Sequence, residues 1–506
     1  DGDLPVGFIR LRNSLKEMLD EFRAYAGVNI EYEFIDPSEE TDNKIRNEFF
    51  KQLYESGLNP VNLQVKEKNG TNSEKIIWPG LSVSYLGRET VVNLLVNYQG
   101  YSPEANLNAS EQQLEFNCIN AVHSLMSNYK KRIAFIEGHR EYSKYDVADF
   151  MQSLSEFYEV SRVKINEYIW SLRDSSAFNL YDLIVIAGPD STFSDRDKFI
   201  IDQYIMNGGR ALFAVDLVKV NMDSLAFSNS TLGFIQDINL HDMLFKYGVR
   251  VNPSLVQDLQ CALIPVNTAI KGQEPNFAPS PWLYFPLLTP SQQSPVTKNL
   301  NFIRSEFANT IDTVGENSKV KKTFLLFTSA YSKELQAPVR ISLDIVGIQP
   351  DPAQFNKKGL PVAVMLEGQF ESLFKNRIPP ELANAPEIGF RESSRKTRMI
   401  VIADGDVVRN QVRRSGTKMY PFQLGYDRYT KQNFGNKDFA MNCVNALLDD
   451  KGIFQIRSRE LKLRLLDKAQ IQNHRIKYQL LNIFIPVVLV VVFGFLFYII
   501  RRKRFS

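Results

Sequence analysis

The run LLNIFIPVVLVVVFGFLFYII, residues 480–500, constrains this chain more than any other stretch. Its 21 residues carry no charge and a single amide, Asn482. At about 1.5 Å per residue, a helix of that length crosses the roughly 30 Å hydrocarbon core of a bilayer. Pro486 lies in the first third, where membrane helices tolerate proline. Tyr498 lies near the far end, a usual place for an interfacial aromatic. A buried core helix is the alternative, but RRKR (Arg501 to Arg504) follows immediately. The expectation is a transmembrane helix at 480–500 and a basic tail at 501–506. Lys462, Arg464, Lys468, Arg475 and Lys477 stand upstream, offset by Asp467. The positive-inside rule is therefore nearly balanced and does not by itself orient the span.

The rest of the chain has the composition of folded protein. With 44% hydrophobic and 23% charged residues, it has enough apolar surface to offset the entropy of ordering, which excludes a disordered chain. A net charge of +3 gives no bulk signature of a nucleic-acid binder. Cys118, Cys261 and Cys443 are too scattered for a disulfide scaffold, and His123, His139, His241 and His474 are scattered too, so neither a clustered zinc site nor any other metal is expected. The length of 506 residues suggests about three domains. The chain opens at Asp1 without a signal-peptide pattern and reads as lacking its native N-terminus.

Residues 8–25 place Ile9, Leu11, Leu15, Leu19 and Phe22 at helical spacing. VNIEYEFID (28–36) alternates like a strand and is ended by Pro37. A polar helix follows from about 42 to 56, then NLQVKE, a hairpin at 76–95 turning at Gly87 and Arg88, and a helix at about 110–128. This order resembles a thioredoxin-like domain that has lost its first strand, over residues 1–128. Pro79 stands where that fold often puts a cis-proline. Without a Cys-x-x-Cys pair no redox chemistry is implied, and another small α/β domain remains an equal alternative.

From residue 129 the pattern changes to strands alternating with helices, the mark of βαβ units and a parallel sheet. KRIAFIEG, VSRVKINE, YDLIVIAGP and GGRALFAVD read as strands, with helices at about 145–157 and 194–207. Ser194, three residues before Asp197, reads as an N-cap. Residues 129–252 thus form a flavodoxin-like unit. Residues 253–321, rich in Pro, Asn and Ser, read as extended connections in which Trp282, Tyr284, Phe285, Leu287 and Leu288 need burial. Strands resume over 322–455 and end in the helix DFAMNCVNALLDD; they either complete the first sheet or form a sister domain. Residues 456–479 form a charged amphipathic helix, a solvated stalk or a partner-binding surface.

Familiar catalytic motifs are missing: no phosphate loop, no dinucleotide fingerprint, no nucleophile elbow and no zinc-protease pair. Three strand-end turns remain, at the edge where parallel sheets bind ligands. They are Glu137, Gly138 and His139 with Glu141; Gly188, Pro189, Asp190 and Ser191; and Asp404, Gly405 and Asp406. Each offers N–H groups or carboxylates to a polar ligand, or is simply a tight turn. No catalytic residue is assigned. Gly494 offers the small surface that close helix packing in a membrane favours, with Pro486 beside it as a packing position.

The segments IAFIEGHRE, YDLIVIAGP, NGGRALFAVD, MIVIADGDVVRN, FGNKDFAMNCVNALLDD and RSRELKLRLLDK, followed by an apolar span, resemble the GldG family. These are the auxiliary, so-called substrate-binding subunits of the gliding-motility ABC transporter. The resemblance covers essentially the whole chain. It implies a GIFT-type, amidotransferase-like middle region, a polytopic permease and a separate ATPase as partners, and no cofactor. It also implies an N-terminal membrane helix, the bacterial inner membrane as location, a large periplasmic domain and a cytoplasmic tail. Amidotransferase relatives place a nucleophilic cysteine on a strand-to-helix elbow, whereas here ALFAV is followed by Asp216 and Leu217. The implied role is binding, with a saccharide or peptide as ligand at the strand-end turns. A degenerate amidotransferase-like or glycan-processing enzyme using Glu137, His139 or Asp404 is the alternative.

Overall fold

The computed structural model describes residues 4–450 except 40–41, 67–71, 97–101, 127–129, 221, 268, 270–273, 275, 299, 316–318 and 386–387, then 452 and scattered positions from 484 to 501. The chain divides into two units, Asp1–Ser458 and Arg459–Ser506.

The first 126 residues give, in order, α1 (Val6–Ala26), α2 (Asn43–Glu55), β1 (Val61–Lys66), β2 (Asn72–Ile77), β3 (Gly80–Tyr85), β4 (Arg88–Asn93) and α3 (Pro103–Met126). Leu11, Leu15 and Leu19, spaced by four, form the buried stripe of α1. They pack with Leu107, Leu114, Cys118 and Ala121 of α3 and with Val92 of β4. Arg10 reinforces this contact through an ion pair with Glu111 at 3.0 Å. The expected hairpin is present, but it turns on Leu86 and Gly87, both at positive φ, one residue earlier than expected. Two expectations need correction. Residues 30–36 belong to no strand, because no neighbouring strand supplies a ladder among the described residues. The Trp78–Pro79 bond is trans, and β1–β2 and β3–β4 are separate two-stranded ladders.

The middle of the chain builds a ten-stranded mixed sheet. Its parallel part contains β5 (Arg132–Glu137), β6 (Glu159–Lys164), β7 (Leu183–Ala187), β8 (Arg210–Ala214) and, nearly two hundred residues after β8, the strand Thr397–Ile402. In space they lie β6, β5, β7, β8, 397–402, the 2-1-3-4-5 order of flavodoxin-type sheets. All five residues of β7 are buried, as expected for a strand covered on both faces. Between β6 and β8 the chain adds α5 (Asp195–Met206), on which Ser194 caps the Asp197 N–H as its sequence suggests; the shorter helix α4 (Ala148–Ser155) precedes β6. The helix Asn436–Leu448 packs on the strands from the other end of the chain. The sheet then continues antiparallel through Pro361–Gly368, Val320–Phe327, Phe277–Pro290 and Cys261–Asn267. The later strands therefore join the first sheet.

Residues 253–321 depart from the expected connections. They contain Phe277–Pro290, a strand of 14 residues, whose Pro279, Pro281 and Pro286 pair with the edge strand near a register shift between Cys261 and Leu263. Trp282, Tyr284 and Phe285 are buried in a second core with Leu255, Ile264 and Ile341, Leu287 is half-buried against it, and Leu288 is buried in the core of the main sheet.

In the second unit, the expected span 480–500 and stalk 456–479 lie mostly outside the described residues. Among the described residues, no helix is long and apolar enough to cross a membrane. The described positions of the span, including Phe484, Pro486, Phe493 and Gly494, are helical, and Phe493 is 71% exposed.

Gly368 ends the strand Pro361–Gly368 at φ +153°, where an added Cβ would lie 2.0 Å from the Lys319 carbonyl oxygen. Gly368→Ala is expected to cost about 2–4 kcal/mol. Gly416→Ala, at φ +60° in open space, should cost about 1 kcal/mol. Urea midpoints in mild detergent check the pair, and equal losses would contradict the packing described.

Candidate functional site

The register of the sheet brings the strand-end turns to one edge. Ala214 of β8 lies opposite Ala187 of β7 on one side and Ile402 on the other, so these strands end level. β5 and β7 flank the point where strand order reverses, the usual ligand crevice of such sheets.

That crevice is closed by the chain itself. The His139 carbonyl accepts the N–H groups of Asp190 and Ser191 at 2.9 and 3.0 Å, and the Tyr142 N–H donates to the Ala187 carbonyl at 3.0 Å. The Tyr142 ring lies over Gly188, where a Cβ would meet it at 2.4 Å. Gly188 is at φ +57°, so glycine is required there for both backbone and space. A Cβ on Gly405 would meet Asp216 at 2.6 Å, the Tyr142 hydroxyl at 2.8 Å and Gly188 at 3.1 Å. Tyr142 therefore fills the volume a ligand would take.

A buried acidic network lies beneath it. The Asp216 carboxylate accepts the Gly405 N–H at 3.1 Å to each oxygen. Asp404, fully buried, accepts the Asp406 N–H at 2.7 Å and the Glu306 N–H at 2.9 Å. Asp406 accepts from the Tyr142 hydroxyl at 3.1 Å and from Arg409 at 2.9 Å. The Arg409 guanidinium also covers the Tyr142 ring at 5.3 Å. Burial, with the charge of Asp406 next, pushes Asp216 up to about 7. Burial first, then Asp216 and Asp406, raises Asp404 well above the usual carboxylate range. Burial and the nearby Glu306 raise Asp406, against the pull of Arg409. Among the described residues, no group of His, Cys, Asp and Glu is arranged to hold a metal ion.

Of the predicted residues, Gly188, Asp404, Gly405 and Asp406 come together in this network. Pro189 is buried beside it, and its carbonyl accepts from Gln236 at 3.2 Å. Gly138, at φ +131°, serves the turn. Glu137 points elsewhere and pairs with Arg162 of β6. His139 faces α5: Nδ1 lies 3.2 Å from Glu141 and Nε2 3.0 Å from Asp197, with the ring stacked on Phe193 at 3.6 Å. Asp216, Tyr142, Glu306 and Arg409 were not in the sequence-derived set. Asp216 had a signal, since it follows the apolar strand ALFAV as Asp404 follows IVIA. The other three reach the edge from loops whose course no local pattern encodes.

A family model described as an ABC-type uncharacterized transport system matches residues 130–443, more than half of the chain. The chain belongs to that family. It is thus an auxiliary component of an ABC-type transport system, and the matched region contains the whole strand-end edge. Residues 1–84 match a domain of unknown function, DUF7088. No curated protein matches the chain. Among solved structures, one described as "mmIFT52 N-terminal domain" is 13% identical and covers 63% of this chain and 96% of that chain, with a TM-score of 0.33. A likeness of that size carries no argument about fold or function.

His139 supplies a pH test. Burial alone would lower its pKa, but the hydrogen bonds and charges of Glu141 and Asp197 outweigh it and leave the value raised. A raised folded-state value means that its stabilisation is complete below the unfolded value of about 6.5 and fades as pH rises through the folded one. His139→Gln should therefore lose most stability below about pH 6.5 and least at alkaline pH. Denaturation of both proteins across pH checks this; a penalty that grows with pH would contradict it.

Proposed function

We propose that this auxiliary component is a non-enzymatic, membrane-anchored subunit of an ABC transport complex associated with gliding motility. Its large unit works outside the cytoplasmic membrane, its basic tail remains in the cytoplasm, and its partners are a polytopic permease and a separate ATPase. The observation that carries the non-enzymatic reading is the state of the strand-end edge. The carboxylates of Asp216, Asp404 and Asp406 and the Tyr142 hydroxyl are committed to structural partners, and the Tyr142 ring lies against Gly188.

The cysteines support the same reading. Burial pushes the Cys118 thiol up to about 12 and Cys261 up to about 11, and raises Cys443 well above its ordinary value. Neutral buried thiols are poor nucleophiles. A saccharide or peptide ligand at Glu137, Gly138, His139, Gly188, Pro189 and Asp404–Asp406 would require the loop carrying Tyr142 to open. Anchoring rests on the apolar composition of 480–500 and on the helical state of its described positions. Among the described residues a Cβ on Gly494 meets nothing within 4 Å, which leaves that position, with Pro486, for a permease helix.

Purification of the full-length protein from its own membranes in mild detergent should recover a permease and an ATPase at fixed ratio. Gly494→Leu should weaken that recovery several-fold; unchanged co-purification would remove Gly494 as a packing site. The enzyme alternative is separated by the near-isosteric set Glu137→Gln, His139→Gln and Asp404→Asn. Normal motility is expected in each single variant whose β7 amides keep wild-type protection, since His139 and Asp404 also hold the fold. Loss of motility in a folded, fully assembled complex would favour an enzyme.

A further inference from the structure

We infer that the hairpin formed by Val412–Ser415 and Lys418–Pro421 is a contact surface for anionic lipid headgroups. Between residues 409 and 431 the chain carries six cations, Arg409, Arg413, Arg414, Lys418, Arg428 and Lys431, against one carboxylate, Asp427. Asp427 does not neutralise them. It is buried, and its carboxylate accepts the Tyr429 N–H at 3.0 Å and the Thr430 hydroxyl at 2.8 Å. Arg409 is also committed, to Asp406 and Asp146. The remaining five cations are exposed, and among the described residues none is ion-paired.

The register decides how they are presented. Arg413 lies opposite Tyr420 and Ser415 opposite Lys418, so these four share one face of the ladder. Arg414 lies opposite Met419 on the other face, where Met419 and Val412 are half-buried. The open face thus holds a tyrosine flanked by a cation across the ladder and another along its own strand. Tyr420 is 50% exposed. Tyr429, 52% exposed, adds a second ring with Arg428 stacked on it at 4.7 Å.

Cations interleaved with tyrosine suit the headgroup level of a bilayer, where aromatic rings with a polar tip reside and each cation gains from anionic lipid. The tip, Ser415, Gly416 and Thr417, carries no large apolar side chain. Adsorption is therefore electrostatic and reversible, without insertion. An acidic protein partner would need carboxylates matched to one register. The five cations lie on both faces of the ladder and on the following loop, a spread that a fluid charged surface meets without such matching.

The test is hydrogen–deuterium exchange of the full-length protein in phosphatidylcholine nanodiscs, with and without phosphatidylglycerol. Amides of residues 412–421 should exchange several-fold more slowly in the anionic discs, and high salt should restore the faster rate. The variant R413E/R414E/K418E should exchange alike in both, with β7 amides unchanged as the folding control. Equal exchange of the wild type in both compositions overturns the inference, as does protection that appears only when other proteins of the complex are added. Failure of the chain to enter discs of either composition would instead count against the anchoring segment. Vesicles of phosphatidylglycerol mixed with the detergent-free protein would then read the hairpin by the same exchange.

Discussion

Asp404 is the carboxylate on which the strand-end edge depends. One oxygen caps the short turn Gly405–Val408 through the Asp406 N–H, and the other receives the Glu306 N–H from the long insertion. It thereby joins the fifth parallel strand to the chain that separates that strand from β8. Asp216, at the end of β8, receives the next N–H, that of Gly405, so two adjacent strand ends share one network. Burial and the charge of neighbouring carboxylates raise both above the ordinary range, while the backbone N–H groups they accept pull the other way. The same edge that offers donors to ligands in related architectures is turned inward here, and Tyr142 lies over it as part of the packing.

Much of the parallel sheet was legible in the sequence. Strands such as β7 and Pro361–Gly368 are continuous apolar runs, and Ser194 caps α5 through the spacing that suggested it. What escaped was non-local. The fifth parallel strand, Thr397–Ile402, joins β8 across the insertion, so the flavodoxin-like order is completed far beyond residue 252. Phe277–Pro290 was hidden by its prolines, which the position beside an edge strand tolerates. Residues 28–36 show the reverse case: Val28 and Asn29 close a short helical turn, and the strand-like alternation of 30–36 finds no partner and forms no strand, because a ladder needs two strands.

The candidate site divides along the same line. Residue type and strand-end position were enough to bring Gly188, Asp404, Gly405 and Asp406 into view. They could not tell that His139 would be held between Glu141 and Asp197, facing α5, or that Glu137 would pair across to β6. A turn of Gly, Asp and His offers the same groups to a ligand and to its own chain, and only the packing of Tyr142 separates the two outcomes. For an auxiliary component of a transport system, an edge consumed by structure places the emphasis on surfaces, helices and partners.

Amide exchange at single-residue resolution tests the closed edge most directly. The N–H groups of Gly405, Glu306, Asp190 and Ser191 each have one acceptor in this network. All four are expected to be protected to nearly the level of the β7 amides and to lose protection only on global unfolding. Exchange of these four at the rates of exposed loops, with β7 still protected, would show that the edge opens in the native state and is not closed by its own packing.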